Sequence, residues 1–272
     1  MKSIIYGPVP SWRLGRSLGV DLISTKEKTC SFDCIYCQLG RTVHPRKERG
    51  KFVSMTQLAK ELEAVRNIAA DYVTFSGVGE PSLASNLGEA IRQVKSALKL
   101  PVAVLTNSSL MPREDVRHEV GLADVVVAKV DAPSEELFSK INRPFGKQTL
   151  AEILKSLQLF RKEYRGKLAL QMMFVEANES YAAEMVKIAK QLSPDEVQLN
   201  TPLRSCDVAP LDIQQMTTIR AVFSGVMNIL TVYEVQRPEV TPLSQEETLL
   251  RRPVEQRFAE KAGKEEKWRR RR

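Results

Sequence analysis

Tyr72-Val-Thr-Phe-Ser-Gly-Val-Gly-Glu-Pro81 is followed by the amphipathic stretch Leu87–Leu98 and then by Val102-Ala-Val-Leu105. A short β-branched run, a polar turn, a helical period and a second β-branched run make one β-α-β unit. Such units build a parallel sheet through right-handed crossovers. The pattern continues in both directions. Upstream stand the run Leu18–Ile23 and the amphipathic Met55–Ala69. Downstream come Val125–Ala128, Leu150–Tyr164, Leu168–Phe174, Ala182–Leu192 and Glu196–Leu199. A further run, Ile229–Tyr233, precedes Pro238 and Pro242, where the pattern dissolves. Ser54 and Thr149 are expected as N-caps, and Pro112 and Pro133 as first-turn residues. The fold class is α/β. The main domain is expected over residues 1–240, with a basic C-terminal tail, at most a truncated helical module, over 241–272.

With 272 residues, 43% of them hydrophobic and 27% charged, the chain has the balance of a globular α/β protein that buries a substantial core. It has no apolar run long enough to cross a bilayer and no secretory signal at its start, so a cytoplasmic protein without a membrane partner is expected. Three of its four cysteines fall within residues 30–37, which reads as metal or redox chemistry and not as a disulfide framework. The net charge is +8. Arg251–Arg272 carries ten Lys/Arg against four Glu, which leaves only +2 for the preceding chain. A nucleic-acid reading therefore rests on the tail, whose plain expectation is a solvated, mobile end.

Each strand runs at its C-terminal end into residues that a connecting loop does not need. These are Thr29–Gln38, Ser76–Pro81, Thr106–Ser109, Lys129-Val-Asp131, Glu176-Ala-Asn178 and Asn200–Arg204. In a β/α barrel those ends share one rim, where active sites are built. Cys30-x-x-x-Cys34-x-x-Cys37 offers three soft thiolates on a compact loop, suited to iron–sulfur or zinc. Three ligands leave one iron of a four-iron cube open. A zinc site would need Cys206 or His44 as its fourth ligand, and zinc motifs usually come as paired Cys-x-x-Cys elements. Lys129 and Asp131 lie two apart on a strand and share a face. Taken alone, Gly77-Val-Gly79 is equally a tight turn, and Thr106-Asn107 a turn or helix cap. Asn178 and Asn200 also suit turns. His44 and His118 have no metal spacing around them, and Cys206 has no partner cysteine.

With Tyr36 before its last cysteine, the motif resembles the signature of the radical S-adenosylmethionine (radical SAM) superfamily. Gly7–Asp21, Lys28–Thr42, Thr74–Pro81, Val104–Asn107, Val130–Ala132, Ile141–Pro144 and Val197–Pro202 are similar, in order and spacing, to a group related to the tRNA wyosine synthetases. The resemblance covers roughly Gly7 to Arg204. It implies a partial (β/α)6 TIM-like barrel of parallel strands with a short C-terminal extension. It also implies a [4Fe-4S] cluster on Cys30, Cys34 and Cys37, and SAM at the open iron, cleaved reductively to a 5′-deoxyadenosyl radical.

Tyr36, Gly77, Gly79, Glu80, Thr106, Asn107 and Asn178 then become cofactor-binding candidates. Glu80 would accept from the methionine ammonium; Thr106 and Asn107 would meet ribose hydroxyls or the SAM carboxylate. Lys129 and Asp131 are the catalytic candidates. Many relatives carry a small hydroxyl residue where Lys129 stands, so it would anchor an acidic substrate, form a Schiff base or pair with Asp131. Arg13, Arg16 and Arg204 are placed at the substrate mouth. With no flavin or ferredoxin segment in the chain, an external donor of flavodoxin or ferredoxin type is expected. Wyosine synthesis itself is disfavoured, because a second cluster needs about three more thiolates. Three readings stay open: a radical SAM enzyme acting on a small molecule or peptide, one modifying RNA, and a non-catalytic zinc-stabilised module.

Overall fold

The computed structural model describes residues 3–254. Its strands are β1 (Ile5–Ser11), β2 (Gly15–Val20), β3 (Thr29–Cys30), β4 (His44–Pro45), β5 (Tyr72–Phe75), β6 (Val102–Thr106), β7 (Val125–Lys129), β8 (Lys167–Met173), β9 (Glu196–Asn200) and β10 (Ile229–Thr231). Eight of them form one sheet in the order β1-β2-β5-β6-β7-β8-β9-β10, curled into a half barrel. Every neighbouring pair in it is parallel except the β1–β2 hairpin. The two-residue β3 and β4 pair separately beside the cysteine loop.

β1 is the strand that the sequence pattern hides, because Pro8 and Pro10 interrupt it. It sits at the sheet edge and pairs with β2 alone, where a missing N–H is tolerated.

The helices are α1 (Met55–Ala64), α2 (Leu87–Leu98), α3 (Glu114–Val120), α4 (Glu135–Ile141), α5 (Leu150–Glu163), α6 (Ala182–Leu192), α7 (Ile213–Val222) and α8 (Gln245–Arg251). Ser54 and Thr149 cap α1 and α5, their side chains accepting from Gln57 N and Glu152 N. α1 ends five residues before the expected Ala69, close to where its buried stripe of Leu58, Leu62 and Val65 stops. Pro112 and Pro133 stand one residue before the N-caps Arg113 and Ser134, outside the first turns expected for them.

Strand alternation sorts the core into two layers. Val73, Phe75, Val102, Val104, Val126 and Leu168 pack outward under the helices, against residues such as Leu58, Ile91 and Val94. Burying each of these side chains stabilises by about 1.5–3 kcal/mol. The other face carries Leu14, Ala103, Val125, Val127 and Ala169. Those inward residues are mostly small, so the concave side of the sheet keeps room for a ligand. Trp12, Leu203 and Val232 form a separate apolar contact between the β1–β2 turn and the segments after β9 and β10.

After residue 240 the chain forms the short helix α8 within the segment expected as a basic tail with at most a truncated helical module, and one part of the tail reading fails. α8 packs against β1, and Arg251, read as the start of a solvated basic end, is 1% exposed. Its charge is taken up by the buried Asp21, which a sequence count of charges cannot reveal. The remainder of the basic tail, residues 255–272, lies outside the described residues.

Candidate active site

β3 leads directly into the cysteine loop. Cys30, Cys34 and Cys37 are free thiols, the first buried and the others half-buried, on the wall of a cavity of about 240 Å³. The loop is pinned from several sides. Asp33 N donates to Asn142 O, Ile35 N donates to Ile141 O at 3.0 Å, and Thr42 N donates to Asp33 Oδ1 at 2.7 Å. Burial pushes the Cys30 thiol up to about 12 and also raises that of Cys34, which Lys129 opposes. Burial thus acts against ionisation of both thiols, and cluster binding must displace their protons. Lys28 is 6% exposed, with Nζ donating to Gly40 O at 3.0 Å. Its own desolvation acts against its charge, but Cys37, Cys30 and Cys34 hold it above the usual lysine range. It thus offsets thiolate charge.

The donor set suits an iron–sulfur cube. Among the described residues no three His, Cys, Asp or Glu side chains converge on a single ion. Three thiols on one cavity wall are soft donors of the kind that hold an iron–sulfur cluster. The proposed fourth zinc ligands are both occupied elsewhere. Cys206 Sγ donates to Val208 O at 3.1 Å, and His44 Nε2 stands 3.2 Å from Glu27 Oε2 with both side chains more than half exposed.

Glu80 is the cavity's buried acid, 2% exposed. Oε1 accepts from Ser82 N (3.1 Å), Ser82 Oγ (2.6 Å) and Thr106 Oγ1 (2.7 Å), and Oε2 accepts from Asn107 N at 2.7 Å. Burial raises its pKa, and the donors from Asn107, Ser82 and Thr106 pull against that rise. Asn107 also joins the acid to the thiols, its Nδ2 donating to Ser31 Oγ at 2.9 Å and standing 3.6 Å from Cys30 Sγ.

Tyr36 closes another side. Its hydroxyl donates to Asp131 Oδ2, and Lys129 Nζ lies 4.2 Å from its ring centroid. Asn142 Nδ2 donates to Asp131 Oδ2 at 2.9 Å and stands 3.5 Å from Cys34 Sγ. Asp131 Oδ1 accepts from Met173 N at 2.9 Å.

Most of the expected site residues thus meet at one cavity: the three cysteines, Tyr36, Gly79, Glu80, Thr106, Asn107 and Lys129, with Asn200, Arg13 and Arg204 on the same wall. Four others stand elsewhere. Asp131 is 3% exposed beneath Tyr36, with Lys129 Nζ at 3.7 Å, which makes it a brace for the cysteine loop and removes it from reach of a ligand. Asn178 is fully buried behind it, Nδ2 donating to Asp131 O and Met173 O at 2.8 Å and Oδ1 accepting from Val175 N. Both its amide N–H groups and one acceptor site of Oδ1 are used inside the fold, and it does not line the cavity. Gly77 faces Asp21, whose carboxylate fills the place a Cβ would take. Arg16 is paired with Asp71 at 2.6 Å on the surface. From β8, Gln171 and Met173 reach the cavity in place of Glu176-Ala-Asn178.

Asp21, Asn142, Ser31 and Lys28 escaped the sequence reading as site residues. Asp21 and Asn142 lay inside the motifs, and only their long-range partners reveal their work.

Gly79 lines the cavity, but its absent side chain serves packing too. A Cβ there would fall on the carbonyl oxygen of Thr29, next to Cys30. Gly79→Ala must therefore displace the backbone that carries the first thiol. It is expected to cost about 1–3 kcal/mol and to lower iron retention, read by thermal melting and iron analysis of the reconstituted chain.

A family model described as the radical SAM superfamily matches residues 28–189. The chain belongs to the radical SAM superfamily. Within it, a UPF0026 protein of Methanocaldococcus jannaschii is 37% identical over 235 residues, covering 83% of this chain and 72% of the other. A UPF0026 protein of Synechocystis sp. is 39% identical over 201 residues, covering 74% and 76%. The fold is similar to that of SAM-bound SuiB from Streptococcus suis, with a TM-score of 0.59 and 13% identity over 75% of this chain and 48% of SuiB. The chain thus spans about half the length of that solved structure. This radical SAM protein is an S-adenosylmethionine-dependent enzyme whose cofactors are a [4Fe-4S] cluster and SAM, and such enzymes need an electron donor. Among the described residues no helix is long and apolar enough to cross a membrane.

Proposed function

We propose that Cys30, Cys34 and Cys37 hold the cluster, that Glu80, Thr106 and Asn107 hold SAM against it, and that the resulting radical takes hydrogen from a small-molecule or peptide substrate. Bound there, the cluster and SAM would supply reductive cleavage of SAM and the radical chemistry it starts. The observation that carries this reading is the meeting of three thiols and one buried carboxylate, oriented by donors on both oxygens with acceptor capacity left on Oε2, on a single cavity wall.

The chain's own residues do the positioning. Glu80, kept as an oriented acceptor by Ser82, Thr106 and Asn107, receives the methionine ammonium. Tyr36, held by Asp131 and Asn142, fixes the loop between the second and third thiols. Lys129, cationic and facing the cavity, balances charge near Cys34. The electron comes from an external flavodoxin- or ferredoxin-type donor. The motifs also resemble the wyosine-synthetase group, and the basic sequence of residues 255–272 keeps RNA modification as a second reading. Strongly salt-dependent tRNA binding, lost on deleting 264–272, would favour it.

Anaerobic incubation with dithionite and SAM tests the main reading: 5′-deoxyadenosine is expected, and its absence from a cluster-loaded chain would refute it. Glu80→Gln sets an amide N–H among the donors of Ser82, Thr106 and Asn107 and removes the ammonium's counter-charge. SAM affinity by calorimetry should fall roughly 10–100-fold. Because burial raises the Glu80 pKa, SAM affinity in the native chain should begin to fall, as the solution is acidified, at a higher pH than an ordinary glutamate would dictate.

A further inference from the structure

Away from the thiols, the cavity wall carries four arginines: Arg13 from the β1–β2 turn, Arg204 after β9, Arg237 after β10 and Arg252 after α8. Nε and Nη1 of Arg13 and Nε of Arg252 are buried without a protein acceptor. An N–H shut away from water with nothing to donate to costs about 1–3 kcal/mol, and a guanidinium cannot escape by losing its proton at ordinary pH. The surroundings make this worse. Burial, then the charges of Arg252 and Arg237, bring Arg13 down to about 9. Glu196 acts in the other direction, but its carboxylate is taken by Lys167 Nζ at 2.6 Å and Gln198 Nε2 at 2.7 Å. Glu80, the cavity's own acid, is engaged by four donors of its own. Next to the arginines stands an apolar flank of Trp12, Leu203 and Val232, with the Arg13 guanidinium 5.1 Å from the Trp12 ring centroid.

We infer that this arginine wall receives the phosphate or polyphosphate group of a small-molecule substrate bound beside SAM. The inference rests on the proposed function and names the class of its substrate. Arg13 and Arg252 bring unpartnered N–H groups from two separate segments, three in all, which outnumber the two oxygens of one carboxylate, while Arg204 Nε is already donating to Pro253 O at 2.7 Å. A phosphate group offers acceptors in several directions and matches the bidentate geometry of each fork. The donors lie inside the cavity, whereas a nucleic-acid backbone is gripped along an open groove. A small phosphorylated molecule therefore fits better than RNA. The apolar flank would take the part of that molecule next to its phosphate.

Pyrophosphate is the probe, titrated calorimetrically into the full-length, cluster-loaded chain already saturated with SAM. Saturable binding at one site is expected, weakened roughly 10–100-fold by Arg13→Gln and likewise by Arg252→Gln. Arg13→Lys, which keeps the charge and loses the fork, should fall between the native chain and Arg13→Gln. Cluster absorption and SAM affinity should be the same in all of them. A chain that holds cluster and SAM normally yet does not bind pyrophosphate, or binds it equally well in every variant, overturns this inference and leaves the proposed function intact. Displacement of SAM by pyrophosphate also overturns it, since the arginines would then belong to the SAM carboxylate. Competition by tRNA at lower concentration than pyrophosphate does so as well, by making a backbone phosphate the ligand. A chain that takes up neither cluster nor SAM removes both proposals.

Discussion

Arg251→Leu is expected to lower the melting temperature by about 10 °C, a loss of roughly 3–5 kcal/mol for a chain of this size. Arg251 is 1% exposed, and every arm of its guanidinium is used. Nε donates to Asp21 Oδ2 at 2.9 Å, Nη1 to Glu247 O and Oε2, and Nη2 to Ser3 O at 2.6 Å and Ser24 Oγ. Removing it leaves Asp21 as a buried charge short of its counter-ion. Burial already raises the Asp21 pKa, with the N–H of Ser24 and the charge of Arg251 acting to lower it.

The consequence reaches the active site. Asp21 Oδ2 also accepts from Val78 N at 3.3 Å, in the loop that carries Gly79 and Glu80, and Gln38 Nε2 donates to Arg251 O at 3.1 Å just past Cys37. Weakened SAM binding should accompany the thermal loss. Adding Asp21→Asn to Arg251→Leu should recover part of the stability, because it removes the orphaned charge; a purely additive double mutant would show that the two residues do not act as a pair. Differential scanning calorimetry of the four chains gives the answer.

The second large effect falls on the thiols. Cys34→Ala is expected to abolish the iron–sulfur absorption and, with it, formation of 5′-deoxyadenosine. Cys30→Ala and Cys37→Ala should reach the same floor, and so should the double and triple replacements, because three ligands of one cluster fail as a unit. Graded losses, with each cysteine contributing separately, would contradict a shared cluster. Cys206→Ala should leave the absorption unchanged, since its thiol donates to Val208 O and stands outside the cavity wall.

The barrel was readable because its information is local. Val73, Phe75, Val102, Val104 and Val126 repeat at a period of two, and the helices between them show their apolar stripes. The cysteine motif was readable for the same reason, since its three ligands fall within eight residues. What escaped depends on partners far along the chain. β1 is masked by two prolines that only an edge position permits. Arg251 looks like one basic residue among many until Asp21, 230 positions away, is placed beside it. Asn178 sits at a strand end like any ligand-binding residue, yet its hydrogen bonds all turn inward to Asp131, Met173 and Val175. Gly77 looked like an opening for a ligand, and its space is filled by Asp21. Charge type and spacing reveal which residues are able to do chemistry; only packing tells which of them face the cavity.

In the proposed site three thiolates hold a four-iron cube whose remaining iron is open to SAM. Mössbauer spectroscopy of the ⁵⁷Fe-reconstituted chain, with and without SAM, addresses it directly. One iron site in the cube should change its signature on adding SAM while the other three stay as they were. Four equivalent irons insensitive to SAM, or a chain that takes up zinc in place of iron, would contradict it.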